Sequence, residues 1–208
     1  MYGNWRSAAA FRVRIALKLK GIAYEETFID LDAGDQHAPE FRAINPQGAV
    51  PALFDGDGPP LTQSLAICEW LEEGWPEPPL LPREHDARAA VRAFAMVVAC
   101  DIHPVQNLKV LQRLRQAGLP EAEVRNWARW TVREGLEACE TLLARHSSPF
   151  CFGNAPGLAD LCLVPQLGNA RRFGCDLSAL PRLIAAEAAC AALPAFAAAA
   201  PDRQPDAE

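Results

Sequence analysis

The chain has 208 residues, of which 50% are hydrophobic and 22% are charged, as in a folded protein of one or two domains. Its formal net charge of −6 argues against a broad surface for nucleic acid. No apolar run approaches the roughly 18 residues of a membrane span, and the N-terminal residues lack the apolar core of a signal peptide. We therefore expect a cytoplasmic protein that binds neither nucleic acid nor membrane.

The seven cysteines are scattered along the chain, and none forms a C-x-x-C pair. The sequence therefore predicts neither a zinc site nor a redox dithiol, and we expect no bound metal. Most of these cysteines lie within apolar helical patterns, where a free cysteine behaves as a small hydrophobic residue. The first is Cys68, far beyond the first predicted helix, so a catalytic cysteine near the N-terminus is not expected.

A proline-rich stretch divides the chain into a mixed part and a helical part. Residues 1–76 alternate strand and helix signals. Residues 77–85 are typical of a linker, and residues 86–208 are apolar at helical spacing almost throughout. The sequence thus predicts an α/β domain followed by an all-α domain. The first domain has strand signals at 2–5, 23–30, 50–54 and near Leu61, and helix signals at 8–20, 36–43 and 64–73.

Val50-Pro51 is the most informative pair of the first domain. A proline directly before a strand is a good candidate for a cis peptide bond in a tight turn. A backbone bent in this way presents the N–H and carbonyl of Val50 at the edge of the sheet, where another peptide can pair with them. Residues 55–58, Asp-Gly-Asp-Gly, predict a hairpin turn after this strand.

Polar residues at two predicted helix starts suit an anion. Ser7 lies where the first strand meets the first helix, and Gln63-Ser64 begin the helix at 64–73. The free N–H groups and partial positive charge of a helix N-terminus favour negative groups. Ordinary helix capping explains the same residues, and from spacing alone capping is the favoured role of Ser7.

The second domain offers fewer candidates. His103 and Asn107 are four residues apart, so the sequence predicts that they share a helix face. Arg171 and Arg172 lie near the end of a predicted helix, where they either hold a carboxylate or complement the helix dipole. On the first helix, Arg12 is expected to form surface salt bridges, as is Arg14.

Several motifs together resemble the zeta class of glutathione S-transferases, which includes maleylacetoacetate and maleylpyruvate isomerases. The resemblance extends over essentially the whole chain. Val50-Pro51 with Gln63-Ser64 is typical of glutathione transferases in general, and two motifs of the second domain point to the zeta class. The matching segments are WRS (5–7), RVRIAL (12–17), NPQGAVP (45–51), QSLAI (63–67), DIHPVQN (101–107), ADLCLVPQ (159–166) and QPD (204–206).

The resemblance implies a thioredoxin-like first domain that binds glutathione, a helical second domain that binds the substrate, and a homodimer. It implies that Ser7 and Arg6 are catalytic, with the Ser7 hydroxyl favouring the glutathione thiolate. It implies glutathione contacts by Gln36, Gln47, Val50, Pro51, Gln63 and Ser64, and substrate contacts by His103, Asn107 and Arg171.

Two departures from the class are visible. Zeta-class proteins usually follow this serine with further Ser or Thr and a Cys, whereas this chain has Ala8-Ala9-Ala10. The resemblance also implies that Asp160 is the N-capping residue of a long helix. Its usual Ser or Thr partner is Gly157 here, so one bond of the capping box is expected to be missing.

The activity implied by the resemblance is glutathione-dependent cis–trans isomerisation of a small unsaturated diacid, maleylacetoacetate or maleylpyruvate, in the breakdown of aromatic compounds. Two alternatives remain open. One is a general transferase that conjugates electrophiles to glutathione. The other is a glutathione-binding protein without turnover, which the three alanines after Ser7 favour.

Overall fold

The computed structural model describes residues 1–207, which form two compact units. The sheet unit comprises residues 1–80 and the C-terminal segment from Ala191 onward, and the helical unit comprises Leu81–Cys190. The helices and strands are β1 (Tyr2–Gly3), α1 (Ala8–Leu19), β2 (Thr27–Phe28), α2 (Pro39–Ile44), β3 (Ala52–Leu53), β4 (Leu61–Thr62), α3 (Ser64–Gly74), α4 (His85–Met96), α5 (Leu108–Gln116), α6 (Glu121–Leu142), α7 (Leu158–Phe173), α8 (Pro181–Ala191) and α9 (Pro194–Ala199).

The four strands form one mixed sheet in the order β2-β1-β3-β4. β1 is parallel to β2, whereas β3 is antiparallel to both β1 and β4. This sheet and its helices confirm the predicted α/β, thioredoxin-like domain. The predicted hairpin is also confirmed, since β3 and β4 are joined by a turn in which Gly56 has a left-handed φ of 55°. The predicted strand at 23–30 is wrong in length, because only the exposed edge residues Thr27 and Phe28 pair with β1.

Helix α1 is buried on all sides. All its residues from Ala10 to Leu17 are buried, because α3 and α9 both pack against it. Fully burying aliphatic side chains such as Val13 and Ile15 contributes roughly 1.5–3 kcal/mol each. The prediction of surface salt bridges is therefore wrong for Arg12 and Arg14, which are only 2% and 0% exposed.

The core of the helical unit lies between α4, α6 and α7, where Phe94, Leu136 and Leu161 are fully buried. No helix in residues 1–207 is long and apolar enough to cross a bilayer. The predicted all-helical character of this part of the chain is confirmed.

The helix predicted through residues 103–107 is interrupted. α4 continues as a π-helix at Val97–Ile102 and then stops. Pro104 has no N–H to carry the helical ladder onward, and α5 starts afresh with Asn107 as its N-cap, whose Oδ1 accepts the N–H of Leu108 at 2.8 Å. The predicted shared helix face of His103 and Asn107 is therefore wrong, because the two residues lie on either side of a break.

Asp160 caps the start of α7, as predicted. Its Oδ2 accepts the N–H of Gly157 at 2.9 Å, and its Oδ1 accepts the N–H of Cys151 at 2.9 Å. Gly157 has no side chain to return the bond, so only half of a capping box is present. Asp160 is 1% exposed; burial raises its pKa, and the two N–H donors oppose that rise.

Candidate active site

One end of the sheet gathers the polar residues predicted from the first domain. Because β1 and β4 run antiparallel to β3, the residues that follow β1 and β4 lie at the same end of the sheet as those that precede β3. Ala52 pairs with Tyr2 on one side and with Thr62 on the other, so Val50, two residues before Ala52, lies at the same end of the sheet as Asn4 and Ser64. Helices α1 and α3 both begin at this end, so the free N–H groups of both helix N-termini lie there.

Ser7 is the N-cap of α1. Its Oγ accepts the N–H of Ala10 at 3.2 Å, which is the capping role that spacing favours. Since Oγ is the acceptor in this bond, the hydroxyl proton can still be donated to an anion at the helix end. Ala8, Ala9 and Ala10 add no hydroxyl or thiol, so the donors of this first turn are Ser7 and the backbone N–H groups.

Arg6 forms an ion pair with Asp32. Its Nη2 lies 2.6 and 2.8 Å from the two carboxylate oxygens, and the two side chains are 33% and 66% exposed. The guanidinium carbon lies 5.9 Å from the ring centroid of Trp5. An exposed pair of this kind stabilises the fold by about 0–1 kcal/mol, so a carboxylate of a ligand can compete with Asp32 for Arg6.

The Val50-Pro51 peptide bond is cis, as predicted, and Pro51 is buried. The expected position of Val50 along a sheet edge is wrong, because β3 lies inside the sheet between β1 and β4. Val50 instead lies beyond the paired end of β3.

Gln63 and Ser64 form the start of α3. Gln63 has a φ of 68° and is the only non-glycine residue with a left-handed backbone in residues 1–207. Such a conformation costs of order 1–3 kcal/mol and is concentrated at functional sites. Gln63 Nε2 donates to Gln47 Oε1 at 2.7 Å, while Ser64 is 7% exposed at the first position of the helix. The side chains of Gln47 and Gln63 are thus in direct contact, as expected if both contribute to one glutathione site.

Gln36 lies beneath the turn that contains Gln47. It is 5% exposed, and its Nε2 donates to the carbonyl of Leu31 at 3.4 Å. Gly48, with a φ of 59°, passes close to it: a Cβ on Gly48 would lie 2.8 Å from the Gln36 carbonyl oxygen. Glycine is required there both by the backbone conformation and by this close approach.

Arg12 is a residue that the sequence interpretation assigned to the surface. It reaches from α1 to the start of α3, where its Nη1 donates to Ser64 Oγ at 3.3 Å. The spacing of apolar residues along α1 assigned Arg12 to a solvent-exposed face of the helix. Because residues Ala10 to Leu17 are all buried, the helix has no such face, and the spacing could not predict this contact. The position of Arg12 beside a predicted ligand residue makes it part of the candidate site.

In the helical unit, the predicted substrate residues His103 and Asn107 lie in different local structures. His103 is half-buried after the π-helix, and Asn107 is exposed at the cap of α5. Among residues 1–207, no group of three or more His, Cys, Asp or Glu side chains could hold a metal ion.

The two arginines at the end of α7 differ in their partners. Arg171 forms a bidentate ion pair with Glu187, which neutralises its charge. Arg172 donates from Nη2 to Asn169 Oδ1 at 3.0 Å and lines a pocket of about 210 Å³ in the helical unit. The pocket is lined by Leu111, Arg115, Glu121, Val124, Arg125, Arg172 and Phe173.

Comparisons with known proteins agree with this architecture. Residues 6–73 match the family model for the N-terminal domain of glutathione S-transferases. The maleylacetoacetate isomerase of Rhizobium meliloti is 50% identical over 98% of this chain and 96% of its own length. The maleylpyruvate isomerase of a Ralstonia species is 46% identical over 99% of this chain and 98% of its own length.

Solved structures give the same result. A maleylacetoacetate isomerase of Methylobacterium extorquens AM1, with bound malonate and GSH, superposes with a TM-score of 0.97 at 55% identity, covering 100% of this chain and 99% of that one. A maleylpyruvate isomerase described as a bacterial zeta-class glutathione S-transferase also gives 0.97, at 46% identity and with the same coverage. This chain therefore belongs to the glutathione S-transferase family, within the zeta class of the maleylacetoacetate and maleylpyruvate isomerases.

Proposed function

We propose that this protein is a glutathione-dependent cis–trans isomerase of a small unsaturated diacid, with maleylacetoacetate and maleylpyruvate as the candidate substrates. The observation that carries the proposal is the convergence of Ser7, Val50 and Ser64 at one end of the sheet, where two helices begin. Glutathione has both an extended peptide backbone and negative groups, which suit these features.

Each part of glutathione has a candidate partner. Gln63 and Ser64 receive the γ-glutamyl carboxylate at the N-terminus of α3, and Val50 before Pro51 pairs with the cysteinyl backbone. Gln36 and Gln47 lie toward the glycyl end. The sulfur then lies at the N-terminus of α1, where the Ser7 hydroxyl and the helix N–H groups lower the pKa of the thiol.

The reaction begins when the glutathione thiolate adds to one carbon of the cis double bond. The π electrons move onto the conjugated carbonyl oxygen and form an enolate, in which the former double bond is single and rotates. When the enolate collapses, the thiolate leaves and the trans isomer remains. Glutathione is regenerated unchanged, so it acts as a cofactor. The role of Arg6 is to hold negative charge beside the sulfur during this cycle.

The diacid needs cations for its carboxylates. Arg171 is the sequence prediction, but a substrate would have to displace Glu187 from it. The pocket with Arg172 has three arginines and one glutamate in its lining, an excess of two positive charges that suits a dianion. Arg172 is therefore the stronger candidate of the two. His103 and Asn107 stay predictions for the remaining contacts.

A homodimer is proposed from the family resemblance, and light scattering of the purified protein tests it. The cytoplasmic location stays a prediction of the sequence.

Isomerisation of both candidate substrates, with and without glutathione, tests the function. Turnover is expected only with glutathione, and Ser7→Ala is expected to reduce it. Ser178→Ala, at an exposed serine of the helical unit, is the control and keeps full turnover. Conjugation of an aromatic electrophile without isomerisation would instead favour the general transferase, and glutathione binding without either reaction would favour the silent binder.

A further inference from the structure

Two buried arginines on α1 have very different surroundings. Arg14 donates to the carbonyls of Asn4, Trp5 and Ala199 and to the carboxylate of Glu26, at 2.9–3.2 Å. Arg12, two residues earlier, makes one hydrogen bond, the 3.3 Å contact from Nη1 to Ser64 Oγ. Its Nε and Nη2 are buried and have no hydrogen-bond partner in residues 1–207.

Such an arrangement is costly for the fold. A buried guanidinium usually needs a carboxylate or a full set of acceptors, because removal from water costs several kcal/mol per ion. Arg14 has these acceptors and is explained by the fold, whereas the single long bond of Arg12 ties α1 to α3 only weakly. The positive charge of Arg12 is therefore better explained by an anion held nearby, through Ser64, than by the folded chain alone.

The one partner of Arg12 indicates where that ligand binds. Ser64 is the first residue of α3, and its Oγ accepts a hydrogen bond from Arg12. With its oxygen occupied as an acceptor, the Ser64 hydroxyl is oriented to donate its own proton. The buried charge of Arg12 and the helix N-terminus both favour an anion in front of Ser64.

We infer that Arg12 is a positioning residue for a carboxylate bound at Ser64. This rests on the proposed function, in which that carboxylate is the α-carboxylate of the γ-glutamyl group of glutathione. Arg12 does not touch the ligand. It orients the Ser64 hydroxyl and supplies a positive charge behind it, so its effect is confined to ligands that carry the carboxylate.

Calorimetric titration of the full chain with two ligands tests this inference. One ligand is glutathione, and the other is the analogue in which γ-aminobutyrate replaces the γ-glutamyl group and which therefore lacks only the α-carboxylate. Arg12→Met is expected to weaken binding of glutathione by about 10- to 100-fold, the usual range for a hydrogen bond to a charged group. Binding of the analogue is expected to stay as in the wild type. Ser64→Ala should give the same selectivity, and the double variant should lose less than the sum of the two, because both changes remove one unit.

Selectivity between the two ligands decides the outcome. An equal loss for both ligands, no loss for either, or additive losses in the double variant would overturn the role of Arg12 and leave a structural one. If Arg12→Met does not fold, Arg12→Lys provides the test instead. It keeps the positive charge, so its loss of glutathione affinity should be smaller, and its affinity for the analogue should not change. A wild type that does not bind glutathione overturns the proposed function and this inference together, whereas wild-type binding with an unselective Arg12→Met overturns this inference alone.

Discussion

Gln63 donates a hydrogen bond of 2.7 Å to Gln47 and so links the residue before α3 to the turn before β3. It does so from a left-handed backbone, with φ at 68°, that only glycine adopts without cost. The strain and the side-chain contact thus belong to the same residue. A backbone held in this way sets the direction of the first N–H groups of α3.

Exchange of Gln63 for glycine and for alanine separates these two features. Both variants lose the bond to Gln47, but only glycine relieves the backbone. Gln63→Gly is therefore expected to be more stable than Gln63→Ala by about 1 kcal/mol, while both bind glutathione more weakly than the wild type. Urea unfolding measures the first difference and calorimetry the second. Greater stability of the alanine variant would contradict the strain at this position.

Replacement of Ser7 by glycine and by alanine separates capping from chemistry. Glycine is a tolerable N-cap, costing only a few tenths of a kcal/mol, whereas alanine costs about 1 kcal/mol. Neither offers a hydroxyl to the glutathione sulfur. We expect turnover to fall by on the order of 10²-fold in both variants, while only Ser7→Ala loses measurable stability.

The ultraviolet absorbance of the bound thiolate, followed against pH, gives the pKa of glutathione in each complex. It should rise above the wild-type value in both Ser7 variants. If the pKa of the bound thiol and the turnover of Ser7→Gly both equal the wild-type values, the thiolate is stabilised by the N-terminus of α1 and by Arg6 and not by the Ser7 hydroxyl.

The local parts of this site are predictable from sequence, and the tertiary ones are not. Val50-Pro51 and Gln63-Ser64 carry their signals within two residues, so the turn and the helix start could be inferred directly. The burial of Arg12 and Arg14 could not, because Arg12 reaches the start of α3 and Arg14 donates to the carbonyl of Ala199 in α9, which comes from the other end of the chain. The ion pair of Arg171 with Glu187 likewise joins residues of two different helices, α7 and α8, that are 16 positions apart in the sequence.

The contribution of Asp160 to the free energy of unfolding should decrease as pH rises. Burial raises its pKa in the folded state, above the value of about 3.9 in an unfolded chain. The folded state then binds more protons than the unfolded state, so its stabilisation is complete below the unfolded pKa and is lost as pH rises through the folded pKa. The free energy of unfolding of the wild type minus that of Asp160→Asn should therefore decrease across this window.

Glu84 provides a control of opposite sign. It caps α4, and the N–H groups of Asp86 and Ala87 lower its pKa. Its stabilisation is present above the unfolded pKa and is lost as pH falls through the folded one, so the difference between the wild type and Glu84→Gln should increase with pH. Slopes of the same sign in both comparisons would contradict the raised pKa of Asp160.

Arg171 and Arg172 are a matched pair of variants that tests which arginine holds the proposed diacid. Arg172→Met removes a charge from the pocket lining and is expected to raise KM for the diacid about tenfold. Arg171→Met breaks an ion pair whose arginine side chain is 51% exposed, which costs about 0–1 kcal/mol of stability, and should change KM little. Steady-state kinetics at saturating glutathione distinguish the two. The reverse order of effects would assign the carboxylate to Arg171.

Two helix glycines should respond in opposite ways to alanine. A Cβ on Gly135 in α6 would overlap the side chain of Ile102, whereas a Cβ on Gly168 in α7 would meet no atom within 4 Å. Alanine in a helix interior is favoured over glycine by about 1 kcal/mol, so Gly168→Ala should gain stability. Gly135→Ala should lose about 1–3 kcal/mol from overpacking. Ile102→Ala removes both overlapping atoms, Cγ1 and Cδ1. The double variant is therefore expected to lose less stability in urea unfolding than the sum of the two single variants, and purely additive losses would contradict the overlap.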